Sequence, residues 1–436
     1  MVTLERSRQL YEAMRTIVPG GVHSNFRYQE PHPLYFARAE GARIWDVDGN
    51  EYIDCVINNG ALILGHRHPR VVEAVKAQLE NGLTAAVESE LSYRVSKLMV
   101  EMIPGAEMVR FSNTGTEAIM KALMVARAYT GKEWIIKAEG CYHGWYEQVA
   151  VSEFPPLDQA GPPEEPQPVP ETQGLLQGVE ERVVVVPYND PEALERAVKR
   201  NRDRVAALLL EPVAHNMGTV PPREGYLERA RELTEQYGIL LVFDEVISGF
   251  RAAPGGAQEY FGIKPDLSVF AKAIANGFPL SALTGIREVM EITTPRTGRV
   301  AYAGTYNGHQ IALAAAEATL LELRDGRVAE YLHRTTRQLV EGFNKIARDL
   351  GVAARLQGFA GKFHAYFTDR EVYNYRDAQT SDEAAYRTFR DTLLEQGVYF
   401  NPSKIFHHGV TYAHTSSDIE AILAGFEAAL RAVAAK

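Results

Sequence analysis

The chain has 436 residues, 46% hydrophobic and 23% charged, with a formal net charge of −10. That length predicts two domains of unequal size, and the acidic balance excludes nucleic acid or an anionic membrane surface as the main partner. Cys55 and Cys141 have no metal-ligand spacing, the N-terminus lacks the apolar stretch of a signal peptide, and no run of ~18 apolar residues spans a bilayer, so a cytoplasmic protein with reduced thiols is expected.

Leu10, Tyr11, Met14 and Ile17 have helical spacing, which predicts an amphipathic helix over 3–18 that Pro19–Gly20–Gly21 stops. Residues 34–54 read as a hairpin followed by a third strand, with Asp48–Gly49–Asn50 as a turn. From about residue 70, apolar strand candidates alternate with helices: 108–112, 134–138, 183–187, 205–210, 239–243, 267–271 and 282–285. Helical patterns cover 117–129, 191–200 and 224–237 between them. Near-continuous apolar strands alternating with helices predict an α/β fold, a mostly parallel sheet covered on both faces. Seven of the 22 residues of 154–175 are proline, so regular structure is not expected there, and its acidic residues favour a solvent-exposed cover over the site entrance. Long helices follow at 311–325 and 327–350, then strands near 362–367 and 396–400 and a last helix at 417–434. We expect an N-terminal segment (1–50) packing with the small domain, a large domain (51–310) and a small α+β C-terminal domain (311–436).

Lys272 closes the apolar run Pro265–Ala271, and a lysine at the end of a buried strand either finds a partner or becomes a reactive amine. A second apolar run, Ile239–Phe243, delivers Asp244 and Glu245. An amine and a carboxylate at neighbouring strand ends suit pyridoxal phosphate: the lysine forms the Schiff base, and the aspartate keeps the pyridine nitrogen protonated. Phe111–Ala118 runs from a strand into a helix, and Thr114, Gly115 and Thr116 there offer backbone N–H groups to a phosphate or simply cap the helix. Tyr142 and His143, inside Gly140–Gly144, follow a strand end where an aromatic stacks on a flat cofactor or fills the core. Glu211 and Asn216 follow the strand 205–210, again at a carboxyl end where open α/β sheets bind ligands. Gly304–Thr305 adds a phosphate contact or caps the helix beginning near His309. His66–Arg67–His68, His407 and His408 read as structural, and no metal is expected.

The order of these motifs resembles the class III aminotransferases of the fold-type I pyridoxal-phosphate enzymes. Within that family it is similar to the branch holding glutamate-1-semialdehyde aminomutase and amine and β-amino-acid transaminases. The carrying strings are PGGVHSNFR (19–27), WDVDGNEYID (45–54), LGHRHP (64–69), FSNTGTEA (111–118), GCYHG (140–144), LEPVAHNMG (210–218), FDEVISGFR (243–251), PDLSVFAKAIANGFPLSALTG (265–285) and AGTYNGHQIALAAA (303–316). The resemblance implies catalytic roles for Lys272 and Asp244, with Tyr142 on one ring face and Val246 on the other. Gly115 and Thr116 would hold the phosphate, Thr305 would reach it from the partner subunit of a homodimer, Asn216 would lie near the ring hydroxyl, and Arg27 would bind a substrate carboxylate.

Tyr306–Gln310 and the proline-rich loop depart from the aminomutase pattern. On those two departures we expect a transaminase that moves an amino group from an amine or amino acid to a carbonyl acceptor by a ping-pong cycle and releases its keto product. The alternatives are a glutamate-1-semialdehyde 2,1-aminomutase, a racemase or epimerase, and a non-catalytic binding homologue, which the presence of Lys272 and Asp244 disfavours.

Overall fold

The computed structural model describes residues 3–436. An antiparallel hairpin of β1 (Phe36–Glu40) and β2 (Arg43–Asp46) continues into β3 (Glu51–Asp54). The central sheet has seven strands: β4 (Met108–Ser112), β5 (Trp134–Ala138), β6 (Val183–Val186), β7 (Val205–Leu210), β8 (Leu240–Glu245), β9 (Leu267–Phe270) and β10 (Ser281–Gly285). Their order is β4-β10-β9-β8-β7-β5-β6, and β10 alone runs antiparallel to its neighbours. Every residue of β7 and β8 is buried, as expected of strands covered on both faces. The carboxyl ends of β4, β5, β7, β8 and β9 therefore share one edge of the sheet, and the site is built there.

A smaller sheet follows, with β11 (Arg355–Phe359) and β12 (Lys362–Tyr366) antiparallel. Next come β13 (Val398–Tyr399), which adds in parallel to β3, and β14 (His408–Gly409), which adds to β12. The long helix Arg327–Asp349 covers the small sheet. It buries Val328, Leu332, Leu339, Phe343 and Ala347, the three-and-four spacing of one apolar face. Phe343 meets Phe389 and Phe426 edge to face, and truncating it to alanine would cost about 3–5 kcal/mol through the cavity left behind.

Two expectations need correction. The strand ends at Phe270, and Lys272 instead opens a short 3-10 turn with a left-handed backbone (φ 49°). That bend lifts the side chain out of the pleat, where strand alternation would have fixed it.

The proline-rich stretch is not a cover over the site entrance. Pro162, Pro166 and Pro168 lie with Trp134, Val183–Val186 and Arg200 around a groove on the β6 edge, and the stretch contributes no residue to the cavity described below. It is tied down at both ends. Ser152 donates its N–H to Val169, and Glu171 donates its N–H to Ala150. Arg376 reaches across to the carbonyls of Ala160 and Gly161 while making a bidentate pair with buried Glu139. Proline removes backbone donors, so side chains from other segments supply the anchors.

Candidate active site

The strand ends surround a cavity of about 310 Å³. It is lined by Thr114, Gly115, Thr116, Tyr142, His143, Glu211, Asn216, Asp244, Val246 and Lys272. Ten of the twelve expected site residues thus come together. Thr305 is exposed and lies outside the cavity of its own chain. Arg27 is also exposed, at the end of the turn Asn25–Arg27, and lines an adjoining cavity whose wall shares Gly277 and Phe278 with the first.

Thr114 caps the helix Gly115–Thr130. Its hydroxyl accepts the N–H of Glu117, and Glu117 in return accepts the N–H of Thr114 and of Asn113. This reciprocal cap uses up some orphan donors and leaves the helix start, with its positive dipole end, facing the cavity. Gly115 is a close-approach position: a Cβ there would stand 3.1 Å from Val246 Cγ2. Gly144 (φ 92°) is another, because a Cβ would overlap Thr116.

Asp244 is the penultimate residue of β8 and is buried. One carboxylate oxygen lies 2.7 Å from His143 Nδ1, and the other accepts the N–H of Val246 at 3.0 Å. Burial pushes the His143 imidazole below its usual range despite the pull of Asp244, so the ring is neutral and Nδ1 carries the proton given to the carboxylate. His143 Nε2 has no partner among the described residues. Glu211 accepts the N–H of His215 at 3.0 Å and an amide proton of Asn216 at 3.1 Å. Burial and the nearby Asp244 charge raise its carboxyl to about 7.

The Lys272 amine is pushed down to about 8. Burial is the main cause, opposed by Asp244 and Glu211 and reinforced by Arg251. Roughly a tenth is therefore the neutral, nucleophilic amine at pH 7, far more than in an ordinary lysine. Tyr142 stands edge-on to Phe26 at 5.5 Å and to Trp145 at 6.2 Å, and these contacts fix its ring as a wall.

Sequence reasoning missed the apolar part of the lining, Ala61, Ile247 and Phe278–Leu280. These are ordinary core residue types, and only position in the fold marks them. Of the histidines read as structural, His66 Nε2 lies 2.8 Å from Asp54 and His408 Nε2 accepts the N–H of Asn401 at 3.0 Å, whereas His68 Nδ1 and His407 Nδ1 have no partner among the described residues.

The chain matches the family model for aminotransferase class III over residues 25–430. The glutamate-1-semialdehyde 2,1-aminomutase of Syntrophobacter fumaroxidans is 41% identical over 422 residues, 96% of each chain. That of Methanothermobacter thermautotrophicus is also 41% identical, over 98% of this chain and 99% of its own. Among solved structures, an omega-transaminase from Sphaerobacter thermophilus superposes with a TM-score of 0.93 at 35% identity, covering 99% of this chain and 100% of its own. The full-length aminomutase relatives overturn the expectation of a transaminase that releases its keto product. The two departures behind that expectation, Tyr306–Gln310 and the proline-rich stretch, line no part of this chain's own cavity.

Proposed function

This chain belongs to the class III aminotransferase family, and we propose that within it the protein is a pyridoxal-phosphate-dependent aminomutase of the glutamate-1-semialdehyde type. The observation that carries this reading is the full-length similarity near 40% to relatives of that name. Such an enzyme moves an amino group from one carbon of its substrate to the neighbouring carbon, with no net donor or acceptor.

The residues fit the cofactor. Asp244 offers a carboxylate to the cavity, and a helix start with a cap leaves backbone N–H groups for a phosphate. Tyr142 and Val246 line the cavity between them. When bound, pyridoxal phosphate supplies an electron sink for labile bonds at the substrate's amine-bearing carbon. Asp244 would hold a proton at the ring nitrogen, and His143 keeps that carboxylate oriented by donating Nδ1–H. Thr114, Gly115 and Thr116 would hold the phosphate, and Glu211 and Asn216 would face the ring's polar edge. Lys272 would anchor the cofactor through Nζ and, once released, carry a proton between carbons on one face. Arg27 would take the substrate carboxylate from the adjoining cavity.

A homodimer completes this reading. Thr305 reaches a phosphate only in a second copy, and the exposed aromatics Trp145 and Tyr306 support an interface on that side. Both cysteines are free and buried, which supports a reducing, cytoplasmic setting. Among the described residues no helix is long and apolar enough to cross a membrane. We take 51–310 as the cofactor-holding domain, with 311–436 and the N-terminal segment as the smaller one; the pairing of β3 with β13 supports their association.

The test is to mix the pyridoxamine-phosphate form with glutamate-1-semialdehyde and follow 5-aminolevulinate. Stoichiometric conversion without an added amino acceptor is the expected result. No 5-aminolevulinate over many enzyme equivalents would overturn the reading.

A further inference from the structure

Behind Ala61 and Ile247, in the wall of the cavity, lies a group of basic side chains that the reaction above does not use. Arg251 follows β8, His215 follows β7, Lys362 opens β12 and His407 precedes β14, so the group sits where the large and small sheets face each other. All four are at most 1% exposed. Arg251 gives Nη2 to the carbonyl of Gly60, but its Nε and Nη1 have no partner among the described residues. Neither do Lys362 Nζ, His215 Nε2 or His407 Nδ1.

The neighbouring carboxylates are engaged elsewhere. Asp54 spends one oxygen on the N–H groups of Val56 and Ile57 and the other on His66. Glu211 is engaged by His215 N–H and Asn216. Charging Lys362 near the buried Arg251 without a counter-ion is strongly unfavourable. Lys362 Nζ and the His407 ring border an atom-sized space beside Gly60, whose carbonyl holds Arg251: a Cβ built on Gly60 would stand 3.7 Å from Lys362 Nζ, 3.8 Å from Ile247 Cγ2 and 3.9 Å from His407 Cε1. The His215 and His407 rings meet edge to face at 6.3 Å on the same side.

We propose that Lys362 and Arg251, with His407 and His215 beside them, form a binding site for one small anion, a halide or a small carboxylate, that clamps the two sheets together. This inference stands apart from the aminomutase reading, because none of the four residues is assigned to the reaction. Burial and the charges of Arg251 and Lys272 hold the Lys362 amine well below its usual range, with Asp54 and Cys55 opposing. Anion binding would reverse that balance, so occupancy brings a proton onto Lys362.

The experiment uses the cofactor-loaded protein. Thermal unfolding is compared in sodium bromide, sodium acetate and sodium gluconate at equal ionic strength, gluconate being too bulky for the space. We expect a saturable rise in Tm of about 2–4 °C in bromide over gluconate. Lys362→Met should abolish the rise. Crystals grown in bromide should show an anomalous peak in contact with Lys362 Nζ and Arg251. A rise in acetate but not bromide would assign the site to carboxylates. Equal Tm values in all three salts, with water alone beside Lys362 in bromide crystals, would overturn the proposal. If Lys362→Met does not fold, the wild-type salt comparison and the crystal decide alone.

Discussion

His143 Nδ1 and an Asp244 carboxylate oxygen lie 2.7 Å apart in a pocket that exposes almost nothing of either side chain. The neutral imidazole can only donate to the carboxylate through Nδ1, so the pair acts as one unit that holds Asp244 in place.

Asp244→Asn should therefore lower kcat by at least ~100-fold, the scale of losing one charge partner for developing charge. His143→Phe removes the orienting donor and should cost about 10-fold. The double variant should be no worse than Asp244→Asn alone, because the histidine acts only through the carboxylate. Additive losses in steady-state kinetics would mean that His143 acts independently.

Lys272 sets a pH dependence. With its amine at about 8, the neutral fraction is roughly a tenth at pH 7, half at pH 8 and nine-tenths at pH 9. Cofactor capture by the apoprotein, followed by the visible band of the bound form, should speed up about ninefold from pH 7 to pH 9 and then level off. A rate that keeps climbing tenfold per pH unit past 9 would mark an ordinary lysine. Lys272→Ala should stay folded and show no multi-turnover activity.

Gly144→Ala should loosen the phosphate end of the cavity. The glycine has φ 92°, and an added Cβ would come within 2.9 Å of Thr116 Cα. Thr116 Oγ1 also accepts the N–H of Trp145 at 3.2 Å, so the displacement spreads to the loop. Cofactor affinity should fall at least ~10-fold, about 1.4 kcal/mol, in a spectral titration. Gly131→Ala is the control: it also has positive φ, but nothing lies within 4 Å, so affinity should not change.

Arg376→Ala should release the proline-rich stretch. It leaves Glu139, 2% exposed, without its cation, a loss of about 3–5 kcal/mol for a buried pair broken on one side. Limited proteolysis should cut within 154–175 in the variant and not in the wild type. Activity well below the melting range should change little, because the stretch lines no part of the cavity.

Asp244 and Lys272 were legible because a charged residue closing an apolar run stands out against its surroundings, although the turn that lifts Lys272 beyond its strand was not. The helix cap at Thr114 was legible for the same local reason. The position of 154–175 was not. Prolines state what a backbone cannot do, and say nothing of the surface it rests on or of an arginine in a helix two hundred residues later. The group formed by His215, Arg251, Lys362 and His407 was equally invisible, since each comes from a different strand end. The reaction class was misread because Tyr306–Gln310 and the proline-rich stretch were weighed as departures from the aminomutase pattern, whereas neither segment lines the cavity of this chain.

Strand β13 pairs Val398 with Ile53 and Tyr399 with Asp54, joining the two extremes of the chain in one four-stranded sheet. During synthesis the hairpin leaves the ribosome long before its last strand exists, whereas β4 to β10 emerge as one contiguous block. The central sheet can thus assemble while β3 still presents an open edge, and that edge is the seam sealed last. Truncation near the C-terminus would consequently expose a templating strand at the opposite end of the polypeptide, and aggregation of such fragments should begin there.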